Sequence, residues 1–313
     1  MSNIIPKKYL RRNLMHNKIP NIIHFVYGLA PNFGWDEYER MDRQRNIMVK
    51  SPKADSFDIL KYLAIKSAHD VNNPDTIYFW CQHEPFGEWW DKAKPYLTMM
   101  KVEAPKEIFG NPIENYAHQA DVIRLQALIE YGGIYADLDS LFCKPFTEFL
   151  TDSPFVMGGQ GINAHEGLCN ALMMSEPNSE FAKIWLGEYT TFNDNEWTTH
   201  SVQLPPKIAA QYPELINILP YKNFFWPLYH RDHMHWFYRE LVTEDNKLIS
   251  NMGGELYAND KLDEAYSHHL WMGKSATREF VKDYPHNSME DWMTEECIKN
   301  VDTNFNIKAR KFL

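Results

Sequence analysis

Apolar positions fall in short blocks along the first half of the chain, each closed by glycine, proline or a polar cluster. Ile19-Pro-Asn-Ile-Ile-His-Phe-Val-Tyr27 is the first, and Gly28 and Pro31 end it. Such a run predicts a strand buried on both faces. Two polar stretches of helical character follow at 35–49 and 56–68, then strands at 75–80 and 98–102. Pro105, Gly110 and Pro112 mark a loop. The strongest helical pattern covers 117–131, and Gly132-Gly133 supplies the glycine that closes a helix. A further strand is predicted at 134–139. Strands alternating with helices predict an α/β fold with a mostly parallel central sheet flanked by helices. The second half is less regular. It offers Gly158-Gly-Gln-Gly161, read as a flexible loop, a helix near 180–189, an aromatic block at 221–238 and an outer acidic helix at 288–300.

Composition narrows the function classes. The chain has 313 residues, 44% hydrophobic and 14% aromatic, which suffices for one large core and excludes a disordered chain. Lys plus Arg number 32 against 42 Asp plus Glu, a formal charge of −10 that argues against a nucleic-acid partner. The basic residues Lys7, Lys8, Arg11, Arg12 and Lys18 precede the first acid at Asp36. At helical spacing they could touch an anionic membrane surface, although such runs are usually solvated. Cys81, Cys143, Cys169 and Cys297 form no CxxC pair. Dispersed thiols, no signal-peptide core and no run near the roughly 18 apolar residues of a spanning helix point to a cytoplasmic chain.

Candidate chemistry concentrates between Asp121 and Asp139. Asp121 and Arg124 lie three apart on an otherwise apolar helix, so they share a face. In the next strand Tyr135, Asp137 and Asp139 alternate with Ile134, Ala136 and Leu138. Two carboxylates on one face, at the carboxyl end of a strand, repel one another unless a cation joins them. Mg²⁺ and Mn²⁺ favour such oxygen ligands together with phosphate. A glycoside hydrolase also uses two carboxylates but needs them on opposite sides of a bond. A non-catalytic carbohydrate-binding protein would need only a cation site and aromatic platforms. His230, His233 and His235 form a second, weaker metal candidate within the aromatic block. Trp226, Trp236 and Trp271 are candidates for an acceptor cleft or for the core.

The segment from Ala120 to Asp139, Ala-Asp-Val-Ile-Arg-Leu through Gly-Gly-Ile-Tyr-Ala-Asp-Leu-Asp, resembles the donor region of DXD-containing glycosyltransferases. It is most similar to the capsular-polysaccharide and Och1-like sugar transferases, which share this pattern with the clostridial glucosylating toxins. Residues 19–28, 167–174 and 266–271 agree in order and spacing. The resemblance implies a GT-A, Rossmann-like nucleotide-sugar-binding fold and a retaining transfer of a hexose assisted by Mn²⁺ or Mg²⁺. The donor would be a nucleotide sugar, a UDP-sugar favoured over GDP-mannose, and the acceptor a glycan or other hydroxyl in surface-polysaccharide or glycoconjugate synthesis.

Carried over, Asp121, Arg124, Asp137 and Asp139 are the catalytic set. Tyr27 would stack the base beside Val26, and Asp121, Arg124, Tyr135, Asp137, Asn170 and Lys274 would contact the nucleotide sugar. Metal ligands would be Asp137, Asp139 and one of His268 and His269, since strand alternation turns only one inward. Two departures, Gln203-Leu-Pro-Pro206 and Gly273-Lys-Ser275, bear on the acceptor side and the pyrophosphate contacts. The implied organisation is a basic arm at 1–18, a GT-A domain at 19–280 with donor and acceptor halves meeting near 155, and a helical extension at 281–313.

Overall fold

A computed structural model describes residues 18–31, 33, 38–42, 47–51, 56–151, 153–244, 247–249, 263–272 and 293–313. The expected basic arm lies outside these residues, Lys18 excepted. The first strand, β1 (Ile22–Val26), is the hub of a seven-stranded mixed sheet. Its Ile23 and Phe25 pack with helix α1 (Ile59–Asn72), while His24 points to the opposite face. That alternation follows from the two-residue period of a strand. A hairpin, β2 (Tyr38–Asp42) and β3 (Ile47–Ser51), comes next, followed by α1 and β4 (Thr76–Cys81). The helix predicted at 35–49 is therefore corrected to a hairpin that pairs Tyr38 with Ser51 and Asp42 with Ile47. Its charged residues favour a helix locally, but β-branched Ile47 and Val49 and the hairpin pairing favour strand.

Asp58 caps α1 by accepting from the backbone N–H of Lys61 at 3.1 Å, and Asn73 ends it in the left-handed region. After α2 (Glu88–Ala93) and β5 (Thr98–Lys101), the short pair β6 (Glu107–Ile108) and β7 (Asn111–Pro112) leads into α3 (Tyr116–Tyr131). Then come β8 (Gly133–Ala136), β9 (Ser140–Phe142), β10 (Phe155–Gln160) and β11 (Gly167–Ser175). The remaining elements are α4 (Glu180–Gly187), α5 (Leu204–Gln211), β12 (Asn217–Leu219), α6 (Tyr221–Phe224), α7 (Arg231–Tyr238), β13 (Val242–Glu244), β14 (Lys247–Ile249) and β15 (Ser267–His269). The chain closes with α8 (Glu295–Asn300) and α9 (Asn304–Ala309).

Across the sheet the order is β12-β10-β11-β8-β1-β4-β5. Strands β8, β1, β4 and β5 run parallel, and β11 is antiparallel to both β8 and β10. This is the expected α/β architecture, a Rossmann-like sheet with helices on its faces. Val122, Leu125 and Leu128 of α3 pack against Phe155, Phe181 and Trp185, while Ile123, Ala127 and Tyr131 meet Trp80 and Met100. A helix buried on several faces can hold charge only where that charge is paired.

Three further expectations change. The strand predicted to reach Asp139 stops at Ala136, and Asp137–Asp139 form a turn. Gly158 and Gly159 lie inside β10 and are not a loop. A Cβ at Gly158 would come within 2.6 Å of the Phe225 ring, so glycine here admits a close neighbour. At the C-terminus α8 begins only at Glu295, capped by Thr294, and residues 288–292 are not described. Ile298 of α8 and Phe305 of α9 are fully buried in the same core as β1 and α1.

Candidate active site

The site starts at the junction of α3 and β8. Gly132 and Gly133 both have positive φ, +64° and +98°. A Cβ on Gly133 would meet the Ile22 carbonyl at 2.5 Å, so this turn brings α3 against β1 only with glycine. His24 fastens the same corner. It accepts from the Trp80 indole N–H at Nδ1 (3.1 Å), and its Nε2–H donates to the Gly132 carbonyl (2.8 Å). Burial pushes the His24 pKa down to about 4, outweighing the opposing effect of the Gly132 bond, so the ring is neutral.

Beyond Ala136 the chain leaves the main sheet. The Asp137 N–H donates to the Ala171 carbonyl at 2.8 Å, and after the turn β9 pairs antiparallel with β15, setting His269 opposite Ser140. The N–H of Leu270 donates to the Asp139 carbonyl at 2.6 Å, and that of Met272 to its Oδ2 at 2.9 Å. This crossover brings Asp137, Asp139 and His269 together, with one potential ligand atom from each lying within 4.8 Å of the others. His269 Nε2 is 3.1 Å from Asp139 Oδ1 and 3.9 Å from Asp137 Oδ2. Neither ring nitrogen makes an aligned hydrogen bond, although both are buried. Two carboxylates and an imidazole with unsatisfied nitrogens fit a hard divalent cation. Burial opposes the charged forms of both residues, yet their mutual attraction prevails. It raises the His269 pKa to about 9 and lowers that of Asp139.

Of the two histidines the sequence leaves open, His269 joins the carboxylates and His268 does not. His268 Nδ1 lies 2.6 Å from the Trp226 carbonyl in the core, and burial lowers its pKa to about 4. His230, His233 and His235 form no ligand cluster. The Leu228 N–H donates to His233 Nδ1, and among the described residues only Asp137, Asp139 and His269 group as potential ligands. Trp226, Trp236 and Trp271 all lie in the core, and the Trp271 ring also stands edge-on to His269 at 4.3 Å.

Next to the carboxylates lies the predicted ion pair. Arg124 reaches Asp121 Oδ1 at 3.2 Å and Asp137 Oδ1 at 3.3 Å, and donates to the Asn170 carbonyl at 3.0 Å. Its guanidinium lies 4.3 Å from the centre of the Tyr135 ring, whose hydroxyl donates to Asp137 Oδ1 at 2.5 Å. The Asn170 amide donates to Asp121 Oδ1 at 2.7 Å. Burial raises the Asp121 pKa in spite of Arg124, and Arg124 stays protonated because its carboxylate neighbours outweigh burial. The fold thus gathers Asp121, Arg124, Tyr135, Asp137, Asp139, Asn170 and His269. Val26 and Tyr27 end the neighbouring strand β1, where the Tyr27 hydroxyl donates to the Ser56 carbonyl and its ring stacks on Phe33. Lys274 lies outside the described residues. Sequence reasoning missed the Leu270 and Met272 amides, because they reach the site only through the β9–β15 pairing.

Residues 61–156 match the family model described as the glycosyltransferase sugar-binding region containing a DXD motif. The match spans α1 to β10 and contains Asp137 and Asp139. Over that stretch the chain is similar to DXD-motif glycosyltransferases. It is 36% identical over 221 residues to Glucan organizing enzyme 1 of Cryptococcus neoformans var. grubii, covering 68% of this chain and 56% of that protein. An uncharacterized Arabidopsis thaliana protein is 22% identical, with 67% of this chain and 33% of that protein covered. The DXD-motif chain thus spans about half or less of the curated relatives it matches. Among solved structures, the galactosyltransferase LgtC is 13% identical with a TM-score of 0.36, covering 86% of this chain and 98% of that one.

Proposed function

We propose that the chain is a retaining hexosyltransferase that needs Mn²⁺ or Mg²⁺. It moves a sugar from a nucleotide donor, a UDP-sugar in preference to GDP-mannose, to a hydroxyl of a glycan or glycoconjugate. One observation carries this reading: Asp137, Asp139 and His269 converge beside a buried Asp121–Arg124 pair that ordinary core packing does not require. A divalent ion held by these three residues would stabilise the negative charge that grows on a diphosphate leaving group. Arg124 adds a fixed positive charge, held in place by Asp121, Asp137 and the Asn170 carbonyl. Both partners of the Asp121 carboxylate fall on Oδ1, which leaves Oδ2 for a donor-sugar hydroxyl.

Tyr27 and Val26, one strand away across the sheet, are assigned to the base, and Lys274 to the pyrophosphate. The likeness to Glucan organizing enzyme 1 supports a glycan setting. Among the described residues no helix is long and apolar enough to cross a membrane. A cytoplasmic location and membrane contact through the basic arm are part of the same proposal.

The test is a thermal-shift screen of UDP- and GDP-sugars with and without Mn²⁺, followed by sugar transfer in wild type and Asp139→Ala. A ligand that binds only the folded state raises the melting point. Asp139→Ala is expected to lose metal-dependent nucleotide binding and transfer while keeping its fold. Full activity in that variant, or in excess chelator, would sink the mechanism.

A further inference from the structure

We propose that Glu166, held by Gln160 and Tyr229, is the acceptor-binding carboxylate, and that the acceptor is a carbohydrate seated against this group and the half-buried Tyr229 ring. The inference rests on the transferase reading above and adds the second substrate's site to it.

Sheet topology places the group. Strand β10 runs parallel to β8, so its last residue, Gln160, lies toward the same end of the sheet as Asp137; it pairs with Gly167 of β11, whereas the Asp137 N–H meets Ala171 of that strand. The turn between β10 and β11 carries Glu166 at that same end. Strand β1, with Val26 and Tyr27, lies on one side of β8, and β11 and β10 lie on the other. A transfer needs two substrates meeting at one reacting centre, and this sheet offers a flank for each.

Side-chain contacts lead continuously from the metal-ligand candidates to Glu166. The Trp271 ring lies 4.3 Å from that of His269, and the Tyr229 ring lies 5.3 Å from Trp271. The Tyr229 hydroxyl then donates to Glu166 Oε2 at 3.0 Å. The Gln160 amide donates to the same oxygen, also at 3.0 Å. Two donors on one oxygen fix the carboxylate, and among the described residues Oε1 accepts no hydrogen bond. Its neighbour is the exposed His165, 3.5 Å away. Glu166 is only 19% exposed, so this carboxylate has been drawn largely out of bulk water. A half-buried carboxylate beside the partly exposed Tyr229 ring suits a sugar, whose hydroxyls donate and whose C–H faces pack on rings. A serine or threonine side chain would use the carboxylate but leave the ring idle.

The experiment separates donor chemistry from acceptor binding. Donor hydrolysis, with water in place of the acceptor, and transfer to maltose, cellobiose and lactose are measured in wild type, Glu166→Gln and Tyr229→Phe. Glu166→Gln is expected to raise the acceptor KM about tenfold, the worth of one hydrogen bond to a charged group. Donor hydrolysis should stay within about twofold of wild type. Tyr229→Phe, which loosens the carboxylate without removing it, should give a smaller KM increase in the same direction. An unchanged acceptor KM in Glu166→Gln overturns the proposal. A parallel fall in hydrolysis and transfer also overturns it, because Glu166 would then serve the donor site or the fold. Transfer to serine- or threonine-containing peptides but to no sugar overturns the carbohydrate assignment. A wild-type protein without donor hydrolysis, transfer or metal-dependent nucleotide binding fails at the underlying reading instead.

Discussion

His269 carries a proton in the metal-free site, and a divalent ion has to displace that proton to use the ring. Burial opposes the imidazolium, but Asp139 and Asp137 raise the pKa to about 9. Each pH unit below the pKa reduces the neutral fraction tenfold, so near pH 7 roughly one ring in a hundred is ready to ligate. The apparent metal affinity at that pH should then lie about a hundredfold below its high-pH limit. The sign is fixed by competition: affinity rises with pH, about tenfold per unit, and levels off above the pKa. Asp139 does not alter this slope, because its pKa is lowered from an already acidic value.

Mn²⁺ titrations at several values between about pH 6 and 8 measure the slope. The Trp271 ring, 4.3 Å from His269, supplies a fluorescence signal. Calorimetry in buffers of different ionisation enthalpy counts the released protons, and about one per ion is expected. In His269→Asn the slope should flatten and the proton release disappear. A pH-independent affinity with no proton release in the wild type would refute His269 as a ligand.

Three other outcomes follow from the geometry. Arg124→Lys keeps a charge but cannot span Asp121, Asp137 and the Asn170 carbonyl at once, so kcat should fall by about a hundredfold with a smaller loss of stability. Steady-state kinetics with urea unfolding checks both. Gly133→Ala places a Cβ 2.5 Å from the Ile22 carbonyl at φ +98°, and chemical denaturation should show a loss of at least about 2 kcal/mol. The third concerns acid. His24 has a folded pKa of about 4 against an ordinary 6.5, so its contribution is complete above pH 6.5 and is lost as pH falls toward 4. The loss amounts to roughly 3 kcal/mol, and denaturation curves at neutral and acid pH, with His24→Gln as the control, measure it.

The parts of the molecule legible in the sequence are those written locally. Helix α3 has its apolar period, its Asn115 cap and its glycine stop within one stretch, and the Asp137/Asp139 pair follows directly. Strands β1 and β4 announce themselves by apolar runs. What could not be read depends on partners distant in sequence. The choice of His269 over His268 is set by the register of β15 against β9. The glycines of β10 looked like freedom but accommodate Phe225 and Ala164 at close range. Overextension of β8 by three residues had the same origin, since period-two alternation continues through Asp139 although the backbone has already turned.

The charges at that early turn bear on how the corner would close in the absence of a metal. The site gathers three carboxylates, Asp121, Asp137 and Asp139, against one guanidinium, Arg124. Left so, the two free negative charges would oppose closure of the β9–β15 corner. The imidazolium of His269, 3.1 Å from Asp139 and 3.9 Å from Asp137, occupies the role a cation would take and reduces the imbalance to a single charge. Binding a divalent ion with loss of that proton brings the set to neutrality. Folding in chelator and tight metal binding are therefore compatible, because one residue serves as internal counter-ion in the first state and as ligand in the second.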